Sequence, residues 1–414
     1  MQTIESQIIR THQAGVHLRT ATDRQIKMAL KALGDILEKD PSVLIRANRK
    51  DLARQQPDDP RNDRLLLNEA RIRAISNSIR VISRLPDPTG KILEKRRLEN
   101  GLQVEKITVP LGVVGAIFES RPNVTFDITA LCLRSRNACL LKGSSDAEYT
   151  NLAAIGLIKR SLKVAGIHPD AVTLLPSPRE TVEHLFSATR YIDVIIPRGS
   201  ESLIRFVRKN SLVPVIETGA GVCHVYVEKE ADLEKALNIV VNAKVSRPSV
   251  CNALDTILVD QAIAPEFLKR LQPLFDDHRV EIFAEPKAYS LLRGYSFLQK
   301  ATEEDFSREF ISLKCAVKVV KGIDQALAHI DQYGTRHSES IVSRNKAHCE
   351  RFLQEVDAAV VYTNASTRFT DGEELGLGAE IGISTQKLHA RGPFALEKLI
   401  TEKWLIRGNG QVRE

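Results

Sequence analysis

The sequence predicts an α/β protein built from two parallel-sheet domains. Short, continuously apolar segments such as Val113–Phe118 are typical of strands that are buried on both faces. These strands alternate with polar loops and helical segments from about residue 113 to residue 207, and the alternation resumes from about residue 213 to residue 361. Parallel sheets bind ligands outside the carboxyl ends of their strands, so the loops that follow strands are where we expect the functional residues.

The composition is that of a globular protein that binds a small anionic molecule. The 414 residues are 43% hydrophobic and 27% charged, which is enough for two or three domains with a sizeable core. The net charge of +7 arises from 59 basic residues scattered among 52 acidic ones, without long like-charge blocks. Only 5% of the residues are aromatic and no basic run is interleaved with them, so we expect no nucleic-acid partner.

The cysteines and the N-terminus predict a cytoplasmic location. None of the six cysteines forms a C-x-x-C pair, and their spacing suggests no disulfide framework, which favours reduced thiols. No group of His, Cys, Asp and Glu has metal-ligand spacing, so no metal is predicted. The first ten residues contain no apolar signal region, and no run of 18 apolar residues indicates a membrane span.

The N-terminal part reads as helices followed by a change to strands. Apolar residues recur at helical spacing from Ala21 to Asn77, a turn cluster lies at Pro57–Pro60, and a helical run from Leu65 to Leu85 ends before Pro86. Near Leu102 the pattern becomes strand-like. We then predict strands at Val113–Phe118, Ala138–Leu141, Ala171–Leu175, Ile192–Ile196, Val213–Ile216 and Val222–Val227, and helices carrying Ile128, Leu131 and Cys132, over Ala147–Ala165, around Thr181–Ser187 and at Leu203–Val207.

The second half repeats the alternation and ends in a glycine-rich tail. We predict a helix over Leu233–Ala243 and strands at Ala253–Val259, Ala316–Val320, Ser340–Val342 and Ala359–Tyr362. The tail contains a glycine-rich stretch from Gly372 to Gly382, a helix near Pro393–Leu399 and a terminal strand at Lys403–Ile406.

Cys251 is the candidate nucleophile. Arg247 and Pro248 mark a loop ahead of it and a β-branched run follows, which places the thiol where a loop becomes a strand. Arg247 and nearby backbone N–H groups favour the thiolate, the form that attacks a carbonyl carbon. A small apolar residue that begins a buried strand would give the same local sequence, so this alternative stays open.

Three polar loops at the predicted rim of the first sheet carry further candidates. Asn123 is a side-chain donor for an oxyanion, together with the Cys251 backbone N–H, although an Asn after a loop is also typical of a helix N-cap. Lys142 and the Gly199–Ser200 pair each lie between a strand and a helix, where helix N-termini bind phosphate oxygens. The alternatives are a solvated loop charge for Lys142 and an ordinary turn for Gly199.

Glu217 and the glycines after it form the remaining candidate. Glu217 ends a predicted strand beside Gly219-Ala220-Gly221, where it is either a base that orients water or a solvated carboxylate. This G-x-G precedes a strand instead of a helix, which excludes the usual dinucleotide fingerprint. Cys223 and His224 are adjacent in one strand and point to opposite faces, so they cannot form a dyad.

Several longer motifs together resemble those of a known family. The chain is similar to the gamma-glutamyl phosphate reductases, also called glutamate-5-semialdehyde dehydrogenases, of the aldehyde dehydrogenase superfamily. The resemblance covers nearly the whole length and rests on residues 109–115 (VPLGVVG), 119–125 (ESRPNVT), 196–199 (IPRG), 247–252 (RPSVCN), 361–372 (VYTNASTRFTDG), 378–380 (GAE) and 389–393 (HARGP).

The resemblance implies a reaction and a set of roles. It implies NADPH-dependent reduction of L-glutamyl 5-phosphate to L-glutamate 5-semialdehyde and phosphate, the second step of proline synthesis. Carried over residue by residue, Cys251 matches the nucleophile and Asn123 the oxyanion donor. Among the cofactor-binding positions of the family, Lys142 matches a lysine at a ribose, and Gly199 and Ser200 match a pair at the pyrophosphate. Glu309 matches a glutamate at the nicotinamide ribose. Glu217 aligns with the general base of hydrolytic relatives, a role that a reductive enzyme does not need.

The substrate carries a phosphate and a carboxylate, which arginines bind well. Arg121, Arg247 and Arg368 are therefore substrate candidates, with surface solvation or structural salt bridges as the alternative. Two other functions stay open: an oxidative or acylating aldehyde dehydrogenase with the same thiol, and a non-catalytic nucleotide-binding scaffold.

The resemblance also implies a division of the chain and its partners. Residues 1–100 and 112–230, with part of 368–398, form the NADPH domain, and residues 231–367 form the catalytic domain. Residues 101–111 and 399–414 supply strands for a homo-oligomer. No kinase-like segment precedes the dehydrogenase region, so a transient contact with a separate glutamate 5-kinase is a further expectation.

Overall fold

The computed structural model describes residues 3–56, 62–119 and 121–413, and the predicted turn at Pro57–Pro60 lies outside them. The chain divides into two compact units. Unit 1 comprises Met1–Thr218, Gly376–Gly382 and Phe394–Glu414, and unit 2 comprises Gly219–Leu375 and Ile383–Pro393. Within the described ranges, we find no helix with the length and hydropathy that a membrane span requires.

The helices, in chain order, are α1 Ile4–Leu18, α2 Asp23–Lys39, α3 Ser42–Leu52, α4 Asn62–Leu65, α5 Glu69–Arg84, α6 Pro122–Arg134, α7 Glu148–Val164, α8 Thr181–Ser187, α9 Glu201–Asn210, α10 Leu233–Val245, α11 Ala264–Asp276, α12 Pro286–Leu291, α13 Ile323–Tyr333 and α14 Lys346–Glu355. Local sequence explains several of their ends. Thr22 and Gln25 form a capping box at the start of α2, and Asn68 caps α5 through its side chain.

The strands are β1 Ile92–Arg97, β2 Gln103–Pro110, β3 Val113–Phe118, β4 Ala138–Lys142, β5 Val172–Leu174, β6 Val194–Arg198, β7 Cys223–Val227, β8 Leu254–Asp260, β9 Glu281–Ala284, β10 Leu298–Lys300, β11 Lys314–Val320, β12 Ser338–Val342, β13 Val360–Thr363, β14 Glu380–Ser384, β15 Gly392–Ala395 and β16 Ile400–Arg407.

Unit 1 contains a parallel sheet in the order β5-β4-β3-β6. All six residues of β3 are buried, as the apolar run Val113–Phe118 predicts for a central strand with helices on both faces. Because the four strands run the same way, their carboxyl ends lie along one edge. The loops that begin after β3, β4 and β6 therefore share that edge, which is where the candidate residues of unit 1 lie.

Unit 2 contains a seven-stranded parallel sheet in the order β10-β9-β11-β8-β7-β12-β13. Alternate residues of β7 face opposite layers. Val225 and Val227 pack in a cluster with Leu237 of α10 and Phe267 of α11, whereas Tyr226 packs with residues of α13 and α14. The predicted fold class, α/β with two parallel sheets, is confirmed.

Two smaller sheets complete the chain. The terminal strand β16 pairs antiparallel with β2, which also pairs antiparallel with β1. Strands β14 and β15 form a two-stranded sheet.

Some predicted elements are wrong. No strand forms at Val213–Ile216, where a single bridge joins Val215 to Ile195, because Pro214 has no N–H with which to extend a ladder. The segment Pro393–Leu399 is not a helix: β15 is followed by one short 3₁₀ turn. By contrast, the helical run predicted from Leu65 to Leu85 forms as α5, Glu69–Arg84, which begins later because Asn68 is its N-cap.

Candidate active site

In unit 2, Cys251 lies in a turn immediately before β8. The turn follows Pro248 and closes through the Ala253 N–H, which donates to the Val250 carbonyl at 3.0 Å. Of the six cysteines, all of which lie in the described part of the chain, Cys251 alone is partly exposed. The position at a loop-to-strand junction follows the sequence prediction. An accessible thiol is a requirement for a nucleophile.

Asn252 fastens this turn to a distant segment. Its side-chain amide nitrogen donates to the carbonyls of Thr370 at 2.9 Å and Arg368 at 3.3 Å. Its backbone carbonyl accepts from the Thr367 hydroxyl at 2.7 Å. Asn252 is 4% exposed, so these bonds are shielded from water and hold the residue next to Cys251 firmly. No local sequence pattern indicates this role of Asn252.

Arg368 brings a positive charge to the turn. Its guanidinium donates to the Asn252 side-chain oxygen, and its Nε donates to the Ser246 hydroxyl at 3.2 Å. Burial and the nearby Arg247 lower the pKa of Arg368, while Asp371 and Cys251 act in the opposite direction. Arg247 is exposed. Two of the three predicted arginines therefore lie at the Cys251 turn.

Gly221 supports the turn from the segment that precedes β7. A Cβ on Gly221 would lie 1.6 Å from the Cys251 carbonyl oxygen, so only glycine permits this approach of two backbone segments. The Cys223 thiol donates to the same carbonyl at 3.2 Å. The G-x-G at Gly219–Gly221 is therefore no dinucleotide fingerprint, and the close approach explains why Gly221 is a glycine.

Glu309 lies close to this region. Its carboxylate accepts the Gly221 N–H at 3.1 Å, and the chain from Arg308 to Leu313 has no regular secondary structure. Unit 2 therefore brings together Cys251, Arg247, Arg368 and Glu309 of the predicted set.

In unit 1, Asn123 belongs to a helix and not to a loop. Pro122 opens α6, Arg121 holds the N-cap position but its side chain does not cap the helix, and Asn123 lies in the first turn. The alternative that Asn123 is the N-cap is thus wrong, because proline favours the first helical position and shifts the cap to Arg121. The Asn123 amide nitrogen donates to the Asp127 carboxylate at 3.0 Å, a bond that orients the amide.

Lys142 is the last residue of β4 and is 9% exposed. The alternative of a solvated loop charge is therefore wrong. Burial, followed by repulsion from Arg179, lowers the pKa of Lys142, while Glu180 acts in the opposite direction. Lys142 and Arg179 together place two cationic side chains near the carboxyl edge of the sheet.

Gly199 and Ser200 lie at the start of α9. Ser200 is the N-cap, and its backbone N–H and hydroxyl both donate to the Glu119 carboxylate, at 2.7 and 2.9 Å. A Cβ on Gly199 would lie 2.4 Å from a Glu119 oxygen. The helix N-terminus thus already binds a carboxylate, so its donors suit an anion such as a cofactor pyrophosphate. Glu119 was missed, although it directly follows β3 at the sheet edge.

Glu217 is the last candidate of unit 1. Its carboxylate lies 3.5 Å from the Arg208 guanidinium and its side chain is 16% exposed. This salt bridge restrains the Glu217 carboxylate. The carboxylate is therefore less mobile than a fully solvated one at the end of a strand.

One group of potential metal ligands occurs among the residues that the structure describes. Ligand atoms of Glu228, Glu230 and His348 lie within 4.8 Å of one another. Glu228 already accepts from the Ser343 hydroxyl at 2.7 Å and the Glu230 N–H at 2.8 Å, and its other oxygen faces His348 Nδ1 at 3.1 Å. These bonds connect the end of β7 to α14, so we interpret the group as structural.

Comparison with known proteins extends these observations. Residues 19–287 match the family model described as "Aldehyde dehydrogenase family". A gamma-glutamyl phosphate reductase of Pelodictyon phaeoclathratiforme is 50% identical over 415 aligned residues, covering 100% of this chain and 99% of the relative. One from Bacteroides fragilis is 48% identical over 97% of both chains.

Solved structures agree. The crystal structure of gamma-glutamyl phosphate reductase from Thermotoga maritima has a TM-score of 0.96 and 40% identity and covers 100% of both chains. An acetylating aldehyde dehydrogenase from Geobacillus thermoglucosidasius, at 16% identity and a TM-score of 0.71 over 99% of this chain and 97% of that one, shares the fold. The whole-length identity and the family match lead to one conclusion: the chain is an oxidoreductase that belongs to the gamma-glutamyl phosphate reductases, within the aldehyde dehydrogenase family.

Proposed function

We propose that the protein reduces L-glutamyl 5-phosphate to L-glutamate 5-semialdehyde with NADPH, releasing phosphate, as the second step of proline synthesis. The observation that carries this proposal is the partly exposed Cys251 thiol on its Asn252-fastened turn. It occurs in a chain that is 50% identical over its full length to relatives named for this reduction. In the proposed division of labour, unit 1 holds the cofactor and unit 2 provides the nucleophile.

The first half of the proposed reaction is acyl transfer to sulfur. The Cys251 thiolate attacks the acyl phosphate carbonyl and forms a C–S bond, and the C–O bond breaks with its electron pair leaving on phosphate. The positive charge of Arg368 favours the thiolate. The Asn123 amide and the Cys251 backbone N–H donate to the oxyanion that forms as the carbonyl becomes tetrahedral. Phosphate is a good leaving group, so Glu217 is not needed as a base for water.

The second half requires a bound nicotinamide cofactor. When bound, that cofactor supplies a hydride to the thioester carbon. Ser200 and the N-terminus of α9 would hold its pyrophosphate in place of the Glu119 carboxylate, and Glu309 would hold the nicotinamide ribose. Lys142 would hold the other ribose. The charges of Lys142 and Arg179 favour the extra phosphate of NADPH over NADH. Collapse of the thiohemiacetal then returns the electron pair of the C–S bond to Cys251 and frees the aldehyde.

Arginines provide for the substrate anions. Arg247, which is exposed beside the thiol, is the first candidate for the phosphate, and Arg121 at the N-cap of α6 is a candidate for the carboxylate. Arg368 donates to Asn252 and Ser246, so its proposed contact with the substrate adds to a structural role. An Arg247→Met variant with an unaltered KM for the substrate would exclude that residue.

We further propose a cytoplasmic homo-oligomer. The side chains of Trp404 and Ile406 on β16 are 47% and 61% exposed, which leaves apolar surface on an edge strand for a second copy to cover. A transient contact with glutamate 5-kinase would shorten the time that a labile acyl phosphate spends in water.

The test is reduction of NADP⁺ or NAD⁺ by glutamate semialdehyde, with and without inorganic phosphate and before and after thiol alkylation. The proposal predicts activity that requires phosphate, prefers NADP⁺ and disappears when Cys251 is alkylated. Activity without phosphate would instead identify an oxidative or acylating aldehyde dehydrogenase. No activity with either cofactor would support the non-catalytic scaffold.

A further inference from the structure

A buried ion pair lies behind the Cys251 turn in unit 2. Lys244, near the end of α10, and Asp255, in β8, have side chains that are 0% and 3% exposed, and the Lys244 ammonium lies 3.6 Å from an Asp255 oxygen. The Lys244 ammonium has no hydrogen-bond partner within the residues that the structure describes. Burial of two charges costs hydration free energy that their mutual attraction only about offsets. A gain in folding stability therefore does not by itself explain this pair.

Asp255 also accepts from the segment that carries Glu309. The Phe310 N–H donates to an Asp255 oxygen at 3.1 Å, and the bond is buried. Because residues 308–313 form neither helix nor strand, this bond from β8 fixes a backbone that has no ladder of its own.

The geometry connects three parts of the candidate site. Asp255 is four residues beyond Cys251 and accepts from the peptide N–H between Glu309 and Phe310. Glu309 in turn accepts from the Gly221 N–H. Gly221 packs on the Cys251 carbonyl. We propose that Asp255, paired with Lys244, is a positioning residue that fixes Glu309 relative to the Cys251 turn and thereby sets cofactor affinity. The cofactor part rests on the proposed function, in which Glu309 binds the nicotinamide ribose.

Electrostatics agree with a carboxylate that is held and not solvated. Burial raises the pKa of Asp255 to about 7, and Lys244 and the Phe310 N–H act in the opposite direction. Both protonation states of Asp255 keep an oxygen that accepts from Phe310. The acceptor, and not the charge, is therefore the feature that positions Glu309.

Two double variants separate the acceptor from the charge. Asp255→Asn with Lys244→Met removes both charges and keeps a side-chain oxygen for the Phe310 N–H. Asp255→Leu with Lys244→Met has a similar volume and no acceptor. Because both lack the ion pair, a difference between them reports the polar amide, whose oxygen accepts from the Phe310 N–H.

The measurements are the steady-state KM for NADP⁺ and for glutamate semialdehyde in the purified full-length enzyme, and the rate of Cys251 alkylation. We expect the Leu double variant to raise the KM for NADP⁺ about tenfold and the Asn double variant to stay within about twofold, as the loss of one buried hydrogen bond predicts. The KM for the aldehyde and the alkylation rate should change less than the KM for NADP⁺. Equal KM values for NADP⁺ in the two double variants would overturn the proposal.

Two further variants keep the test decisive. If the Leu double variant does not fold, Asp255→Ser with Lys244→Met takes its place. The Ser hydroxyl is one bond shorter and does not reach the Phe310 N–H, so the KM for NADP⁺ should rise as in the Leu double variant. Glu309→Gln tests the underlying assignment: an unchanged KM for NADP⁺ would overturn the cofactor role of Glu309 and this inference with it. A raised KM in Glu309→Gln with no difference between the double variants would overturn the positioning role of Asp255 alone.

Discussion

Replacement of Gly221 by alanine tests how tightly the Cys251 turn is held. The added Cβ would lie 1.6 Å from the Cys251 carbonyl oxygen, whereas real Cβ atoms are essentially never closer than 3.0 Å. One backbone segment must therefore move by at least the difference of 1.4 Å. Both partners are backbone atoms, so no side chain can rotate to relieve the clash.

The displacement falls on the nucleophile and on Glu309. A misplacement of about 1 Å costs on the order of 10²-fold in rate, so we expect kcat/KM to fall at least about 100-fold in Gly221→Ala. Overpacking should also lower the free energy of unfolding by about 1–3 kcal/mol. The assay is the phosphate-dependent reduction of NADP⁺, together with chemical denaturation to show that the variant is folded at the assay temperature.

Gly156→Ala is the matched control. A Cβ on Gly156 meets nothing within 4 Å, and the residue lies within α7 on the surface of unit 1. This variant should keep full activity and gain about 0.5–1 kcal/mol of stability, because alanine favours helices. A Gly221→Ala enzyme that is as active as Gly156→Ala would refute the reasoning about the turn.

Two further predictions follow from the same region. Arg368→Lys keeps the charge but cannot donate to Asn252 and Ser246 at the same time. Alkylation of Cys251 should therefore slow, and kcat should fall about tenfold. An unchanged alkylation rate would show that the guanidinium does not hold the turn. Burial lowers the pKa of His337 from 6.5 to about 4. The unfolded chain then binds more protons between these values, so stability should fall by about 2 kcal/mol from pH 7 to pH 5, and denaturation of His337→Asn should show a correspondingly shallower loss.

The strands that are predicted best from the sequence are those that are buried on both faces. Val113–Phe118 coincides with β3 because six consecutive apolar residues fit only a strand buried on both faces. Val213–Ile216 is equally apolar but contains Pro214, and the missing N–H limits it to one bridge. Asn123 was expected in a loop, although Pro122 is well suited to begin a helix.

The candidate site was predicted where chemistry is local and missed where it depends on distant partners. A cysteine after an Arg-Pro loop is visible in a short stretch of sequence. The role of Asn252 is not, because its partners Arg368 and Thr370 lie more than 100 residues along the chain, at separations of 116 and 118. The same holds for the bond between Phe310 and Asp255, which are 55 residues apart. Periodicity carries no information on such pairs.

The covalent role of Cys251 is the central claim, and mass spectrometry of the enzyme tests it most directly. Glutamate semialdehyde and NADP⁺ are mixed with the enzyme without phosphate, so that a thioester cannot be released by phosphate, and the digested protein is searched for the acyl group. We predict a burst of NADPH of about one per active site and an acyl adduct on the peptide that contains Cys251, with both absent from Cys251→Ala. Near-normal turnover of the Ala variant, or an adduct on another residue, would contradict the account.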